Sequence, residues 1–133
     1  MPNRIDQKFS DLRAAGKKAL IAYISAGDPH LAATQQLALA FEQAGVDILE
    51  LGVPFSDPLA DGVVNQLAAA RALAAGTTVR GVLECVREIR RTSQLPIVLY
   101  TYMNPIYRYG FEAFHRDAEA AGVDGLLLSL IHI

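Results

Sequence analysis

Four short apolar runs constrain the fold of this chain more than any other feature. They are ALIAYIS (19–25), VDILELGV (46–53), PIVLYTY (96–102) and VDGLLLSL (123–130). Each is nearly continuous in its hydrophobicity, which is how strands of a parallel sheet read when both faces are covered. Longer segments of helical periodicity separate them. Leu31, Thr34, Leu37, Ala38, Phe41 and Ala44 form one apolar stripe, with Asp28-Pro29 as its expected start and Gly45 as its end. Val79, Val82, Leu83, Val86 and Ile89 form another, capped by Thr77 or Thr78. An Ala-rich helix is expected from Val63 to Gly76, and a last one from Phe111 to Gly122. The order is β-α-β-(α)α-β-α-β, a series of βαβ units. AGVD recurs at 44–47 and 121–124, each time joining a helix end to a strand start.

Two architectures share this order: an open doubly wound sheet, and part of a (β/α)8 barrel. A whole barrel needs about 250 residues, so four strands would be half of one. SAGDPH follows the first strand where a dinucleotide-binding fold would carry G-x-G-x-x-G. The remaining bulk properties exclude several function classes. A chain of 133 residues that is 52% hydrophobic is globular, and a net charge of −2 with interleaved signs argues against nucleic acid or an anionic membrane as partner. The single cysteine, Cys85, rules out a disulfide framework and a cysteine metal site, and packing on its helix is the expected role. No signal-peptide core and no membrane span is readable, so a cytoplasmic location is expected.

The second apolar run breaks its own pattern. Along Asp47–Val53 side chains alternate, so Leu49, Leu51 and Val53 face one way and Ile48, Glu50 and Gly52 the other. The first set suits packing against helices. The second suits the inside of a barrel, with room for a ligand near Gly52. Glu50 then points inward near the C-terminal end of its strand, where barrel enzymes place their chemistry. A poorly solvated carboxyl there suits proton transfer near neutral pH. Periodicity alone leaves a structural glutamate, ion-paired with Lys or Arg or simply exposed, as the other reading. Ser56-Asp57-Pro58 is turn chemistry, and Asp61-Gly62 fits a turn, a helix cap or a reacting group. Tyr100 and Tyr102 share an alternating face, where core packing and ligand contact are equally open. His30 and His115 read as surface residues.

ELGVPFSDPLADG (50–62) resembles the signature of the tryptophan synthase alpha chain family. SAGDP (25–29), RALAAGTT, PIVLYTYMNPIYRYG and AGVDGLLL match further family segments in the same order, from about Arg4 to Leu127. The resemblance implies α/β architecture, the N-terminal half of a (β/α)8 TIM barrel with parallel strands and flanking helices. It implies retro-aldol cleavage of indole-3-glycerol phosphate to indole and glyceraldehyde 3-phosphate, without metal or organic cofactor. Glu50 matches the catalytic glutamate and Asp61 the catalytic aspartate. Tyr23 matches an indole-pocket position, with Tyr100 and Tyr102 as further substrate contacts. Pro54, Asp57, Asn104 and Pro105 match loop positions facing the partner, the pyridoxal-phosphate-bearing beta chain of an alpha2-beta2 assembly. Val63 and Asn65 depart from the residues common in the family and are expected to adjust loop mobility.

The family's phosphate site and mobile lid belong to later βα units. The whole chain, 1–133, therefore reads as a partial barrel domain whose own turnover is expected to be negligible. The alternative is a non-catalytic half barrel that only docks on the beta chain or self-associates. LSLIHI (128–133) is a literal translation of CTG-TCT-CTT-ATA-CAC-ATC, a transposase adapter end, and is expected not to be native sequence.

Overall fold

The computed structural model describes residues 2–129. The chain runs α1 (Arg4–Ala14), β1 (Ile21–Ser25), α2 (Leu31–Ala44), β2 (Ile48–Gly52), α3 (Val63–Ala74), α4 (Val79–Arg90), β3 (Ile97–Tyr102), α5 (Met103–Tyr109), α6 (Phe111–Ala121) and β4 (Gly125–Ser129). All neighbouring strands are parallel and lie in the order β1-β2-β3-β4. A doubly wound sheet reverses its strand order at a switch point; this one advances strand by strand, as a barrel wall does.

The expected alternation along β2 is observed. Leu49, Leu51 and Val53 join Ile97 and Leu99 in the core, against Ala38 of α2, Val82, Val86 and Ile89 of α4, and Phe114 of α6. Each such leucine, fully buried, contributes about 1.5–3 kcal/mol. On the opposite face the register sets two rows. Tyr23, Glu50, Val98 and Gly125 form one, and Ser25, Gly52, Tyr100 and Leu127 form the next.

The AGVD repeat is one structural device used twice. Gly45 and Gly122 end α2 and α6 in left-handed conformations, φ 100° and 91°, that favour glycine. Asp47 and Asp124 then clip onto the neighbouring strand. The Asp47 amide donates to the Leu20 carbonyl (2.9 Å), while the Leu20 amide donates to the Asp47 carboxylate (2.9 Å). Asp124 repeats both bonds with Ile97, each at 2.9 Å. Its carboxylate also receives Arg90 (2.6 Å) and Arg4 (2.9 Å). Arg90 continues to the carbonyls of Gly122 (2.8 Å) and Leu95 (2.6 Å).

Several local expectations need correction. Asp28 does not cap α2: His30 does, its Nδ1 accepting from the Ala33 amide at 3.1 Å, although its side chain is exposed as expected. Asp28 instead forms a two-pronged pair with Arg71 of α3, at 2.9 and 2.8 Å, tying the loop after β1 to that helix. Asp61 does not cap α3, whose N-cap is Gly62 without a side-chain bond. Thr78 rather than Thr77 caps α4, accepting from Gly81 at 3.0 Å. Asn104 and Pro105 stand in a short helix, α5, rather than a loop; Pro105 fits because the first turn needs no amide from it. The polar N-terminal segment is helical too. Asn3 caps α1, and Arg4 and Lys8 bind Asp124 and Asp47, so charge rather than an apolar stripe seats that helix under the strand starts. Of 128–133, Leu128 and Ser129 lie in β4, with Leu128 packed on the core; residues 130–133 lie outside the described residues.

Asp124 and Arg90 are 3% and 9% exposed, so removing one partner strands a buried charge. Asp124→Ala is expected to cost about 3–5 kcal/mol in urea unfolding. The Asp28 carboxyl is held below its ordinary 3.8 by the hydrogen bonds from Arg71. A carboxyl depressed in the folded state stabilises above its unfolded value and loses that contribution as the pH falls through the folded one. In Arg71→Gln the Asp28 titration followed by carboxyl NMR is expected to move up toward 3.8, and the parent's stability advantage to fade below that pH.

Candidate active site

The C-terminal ends of β1, β2 and β3 meet the loop 53–62 around a narrow recess. Tyr23, Ser25, Gly52, Asp61, Tyr100 and Tyr102 line it, together with Pro54, Phe55 and Pro58. The alternation of β1 and β3 delivers the tyrosines, β2 between them delivers Gly52, and the loop delivers Asp61. Glu50 sits beside Tyr23 on the same face, one row deeper than Gly52, and is half-buried. Among the described residues it takes part in no ion pair.

Tyr23 is the centre of the recess. Its ring meets that of Tyr100 edge-on with centroids 5.8 Å apart, a favoured aromatic geometry. Its hydroxyl lies 3.5 Å from Ser25 Oγ. Burial pushes its pKa up, and the negative charges of Asp61 and Glu50 push it in the same direction. The expected open space near Gly52 is taken by the Tyr23 phenol: a Cβ added at Gly52 would lie 2.3 Å from its hydroxyl. Glycine is required there so that a side chain from the neighbouring strand can cross over it.

Tyr102, 7% exposed, reaches from the end of β3 to the loop. Its phenol oxygen accepts the Ala60 amide at 2.9 Å, and its ring packs on Phe55 with centroids 5.3 Å apart. Burial raises its pKa, reinforced by the charge of Asp61. Gln66 of α3 donates to the carbonyls of Asp61 (2.9 Å) and Pro58 (3.3 Å). Ser25, Phe55 and Gln66 are members of the site that sequence reasoning missed. The two-residue step from Tyr23 could have found Ser25; nothing local marks Gln66.

The positions matched to the partner interface separate into two pairs. Pro54 and Pro105 are buried and line an open cleft of about 620 Å3, shared with Phe55, Arg80, Arg108 and Tyr109. Asp57 and Asn104 are exposed and do not line it. Cys85 lies away from both cavities; burial pushes its thiol up to about 11, as a packing residue requires. Among the described residues no cluster of histidine, cysteine or carboxylates could hold a metal, and no helix is long and apolar enough to cross a membrane.

Comparison with known proteins agrees with this geometry. The family model for the tryptophan synthase alpha chain matches residues 9–131. The tryptophan synthase alpha chain of Pelobacter propionicus is 53% identical over 126 residues, which are 95% of this chain and 47% of the relative. That of Caldanaerobacter subterraneus is 50% identical over 95% of this chain and 48% of its own. The chain thus spans about half the length of the curated relatives it matches. Among solved structures, tryptophan synthase subunit alpha of Legionella pneumophila superposes with a TM-score of 0.94 at 45% identity, over 96% of this chain and 49% of that one. A chain of the tryptophan synthase α2β2 complex of Pyrococcus furiosus gives 0.79 at 47% identity, over 83% and 44%. The four-stranded sheet corresponds to the N-terminal half of their barrel. By sequence and by fold alike, the chain belongs to the tryptophan synthase alpha chain family.

Proposed function

We propose that this chain carries the acid–base half of a carbon–carbon lyase that cleaves indole-3-glycerol phosphate into indole and glyceraldehyde 3-phosphate. The observation that carries the reading is that Asp61 and Tyr23 line one recess at the C-terminal ends of the strands, with Glu50 beside Tyr23 on the same sheet face. Cleaving the bond between indole C3 and the glycerol chain requires a proton delivered to C3 and another removed from the adjacent hydroxyl. Glu50, inward-facing and free of a cationic partner among the described residues, can deliver the first and take up the second. Protonation at C3 leaves positive charge shared with N1. The Asp61 carboxylate, held over the recess by the loop, can stabilise that charge at N1–H. When the C–C bond breaks, its electrons return to the indole ring and the hydroxyl becomes the aldehyde. Tyr23, Tyr100 and Tyr102 supply flat apolar surface for the ring. The reaction asks for no cofactor of its own; pyridoxal phosphate belongs to the beta chain.

The partner in this reading is the tryptophan synthase beta chain in an alpha2-beta2 assembly, met through Pro54, Asp57, Asn104 and Pro105, in the cytoplasm. A second reading rests on the free edges β1 and β4 and on Ile21 and Leu127, 47% and 44% exposed. In it the chain is a non-catalytic half barrel that docks on the beta chain or self-associates. Its sign would be a concentration-dependent mass in sedimentation without indole release.

To test the lyase reading, residues 1–127 are joined to the second half of a relative's chain and indole release is followed. Glu50→Gln is expected to lower kcat about 10²–10⁴-fold, the scale of acid–base catalysis. Asp61→Asn is expected to lower it about 10²–10³-fold, the scale of losing one charge-stabilising group. Retention of parental kcat by Glu50→Gln would sink the assignment.

A further inference from the structure

The loop that carries Asp61 has little packing to hold it. Leu59 is 69% exposed, and Ser56, Asp57 and Ala60 are exposed as well. Its own backbone bonds, Leu59 amide to Asp57 carbonyl (2.9 Å) and Asp61 amide to Pro58 carbonyl (3.0 Å), shape the turn but do not fix it to the sheet. Gln66 ties it to α3, the helix that follows it directly. Tyr102 alone among the site tyrosines touches both ends of the loop, Phe55 through its ring and Ala60 through its hydroxyl. The hydroxyl accepts from the residue immediately before Asp61, and the Asp61 side chain itself stands close enough to the phenol to help raise its pKa, so the loop and its carboxyl both meet the end of β3 at this one oxygen.

We propose that Tyr102 is a positioning residue, whose phenol oxygen, by accepting the Ala60 amide, fixes the Asp61 carboxylate over the recess opposite Glu50. This rests on reading Glu50 and Asp61 as the reacting carboxylates. The physical logic is a division of labour. Glu50 stands on a strand and inherits the sheet's rigidity. Asp61 stands on an exposed loop and would sample many positions unless tied. A tie made by a hydroxyl at the end of β3 gives the loop the same frame of reference as Glu50, because β3 pairs directly with β2. Since Ala60 is exposed, water can replace the bond when it breaks, so the tie governs loop placement more than global stability.

The test uses the 133-residue chain and needs no turnover, so it fails separately from the lyase reading. Tyr102→Phe keeps the ring against Phe55 and deletes the acceptor. Amide hydrogen exchange at Ala60 is expected to accelerate about tenfold, the equivalent of one lost hydrogen bond, with Leu49 and Leu51 unchanged. The carboxyl carbon resonance of Asp61 is expected to shift or broaden, while those of Asp57 and Asp28 stay in place. Ala60→Pro removes the donor instead and is expected to give the same Asp61 signature without touching Tyr102. Unchanged Ala60 exchange in Tyr102→Phe overturns the tie. Faster exchange with an unmoved Asp61 resonance overturns the positioning role. A change spread over Asp28, Asp57 and the strand amides alike shows general loosening and overturns it too.

Discussion

The site depends on strand register, and register is fixed at the strand starts. Asp47 and Asp124 each make a reciprocal pair of bonds with the strand beside them, so β2 cannot slide against β1 nor β4 against β3. A slip of one residue would turn every side chain to the opposite face. Glu50 would enter the layer of Leu49 and Leu51, and those leucines would line the recess. The clips are polar groups in a mostly apolar setting, and the Asp124 clip is buried. That is tolerable because Arg90, Arg4 and the Ile97 amide all converge on its carboxylate. The recess at one end of the sheet is therefore held in shape by electrostatics at the other.

With register fixed, the shape of the recess follows from one absent side chain. Gly52 lets the Tyr23 phenol cross from β1 over β2, and Tyr100 closes on it edge-on from β3. Two strands thus supply a single aromatic wall across a third. The result is a small recess lined by aromatic surface, with Asp61 in its lining and Glu50 one row deeper beside Tyr23. Aromatic surface of this kind suits a flat ring.

The fold was legible because its signals are periodic. Continuous apolar runs announce parallel strands, and stripes at helical spacing announce α2, α4 and α6. The elements that escaped reading are those held by something other than an apolar face. Helix α1 buries no residue and is seated by Arg4 and Lys8; α5 is a short helix whose Pro105 reads as a loop residue in isolation. Within the site, Glu50 stood out because it breaks an apolar pattern, and Asp61 because a long motif surrounds it. Gln66 and Ser25 are ordinary polar residues whose roles arise from distant partners. Asp28 was misread for the same reason: its sequence neighbours suggest a cap, whereas Arg71, 43 residues away, claims its carboxylate.

In the proposed lyase reaction the two carboxylates face different physical demands, and the fold places them on different elements. A group that moves a proton between two atoms of one ligand must sit at a fixed distance from both, because proton transfer needs hydrogen-bond reach. A strand in the middle of a sheet gives that constancy. A group that stabilises a developing charge must be held where that charge appears, because its effect depends on preorganised placement. A loop can meet that demand provided something outside it holds it in place. Tyr102 and Gln66 hold the loop from its two sides, one from the sheet and one from α3. In the proposed reaction the strand glutamate and the loop aspartate are thus two solutions to one positional problem, distinguished by what holds each group in place.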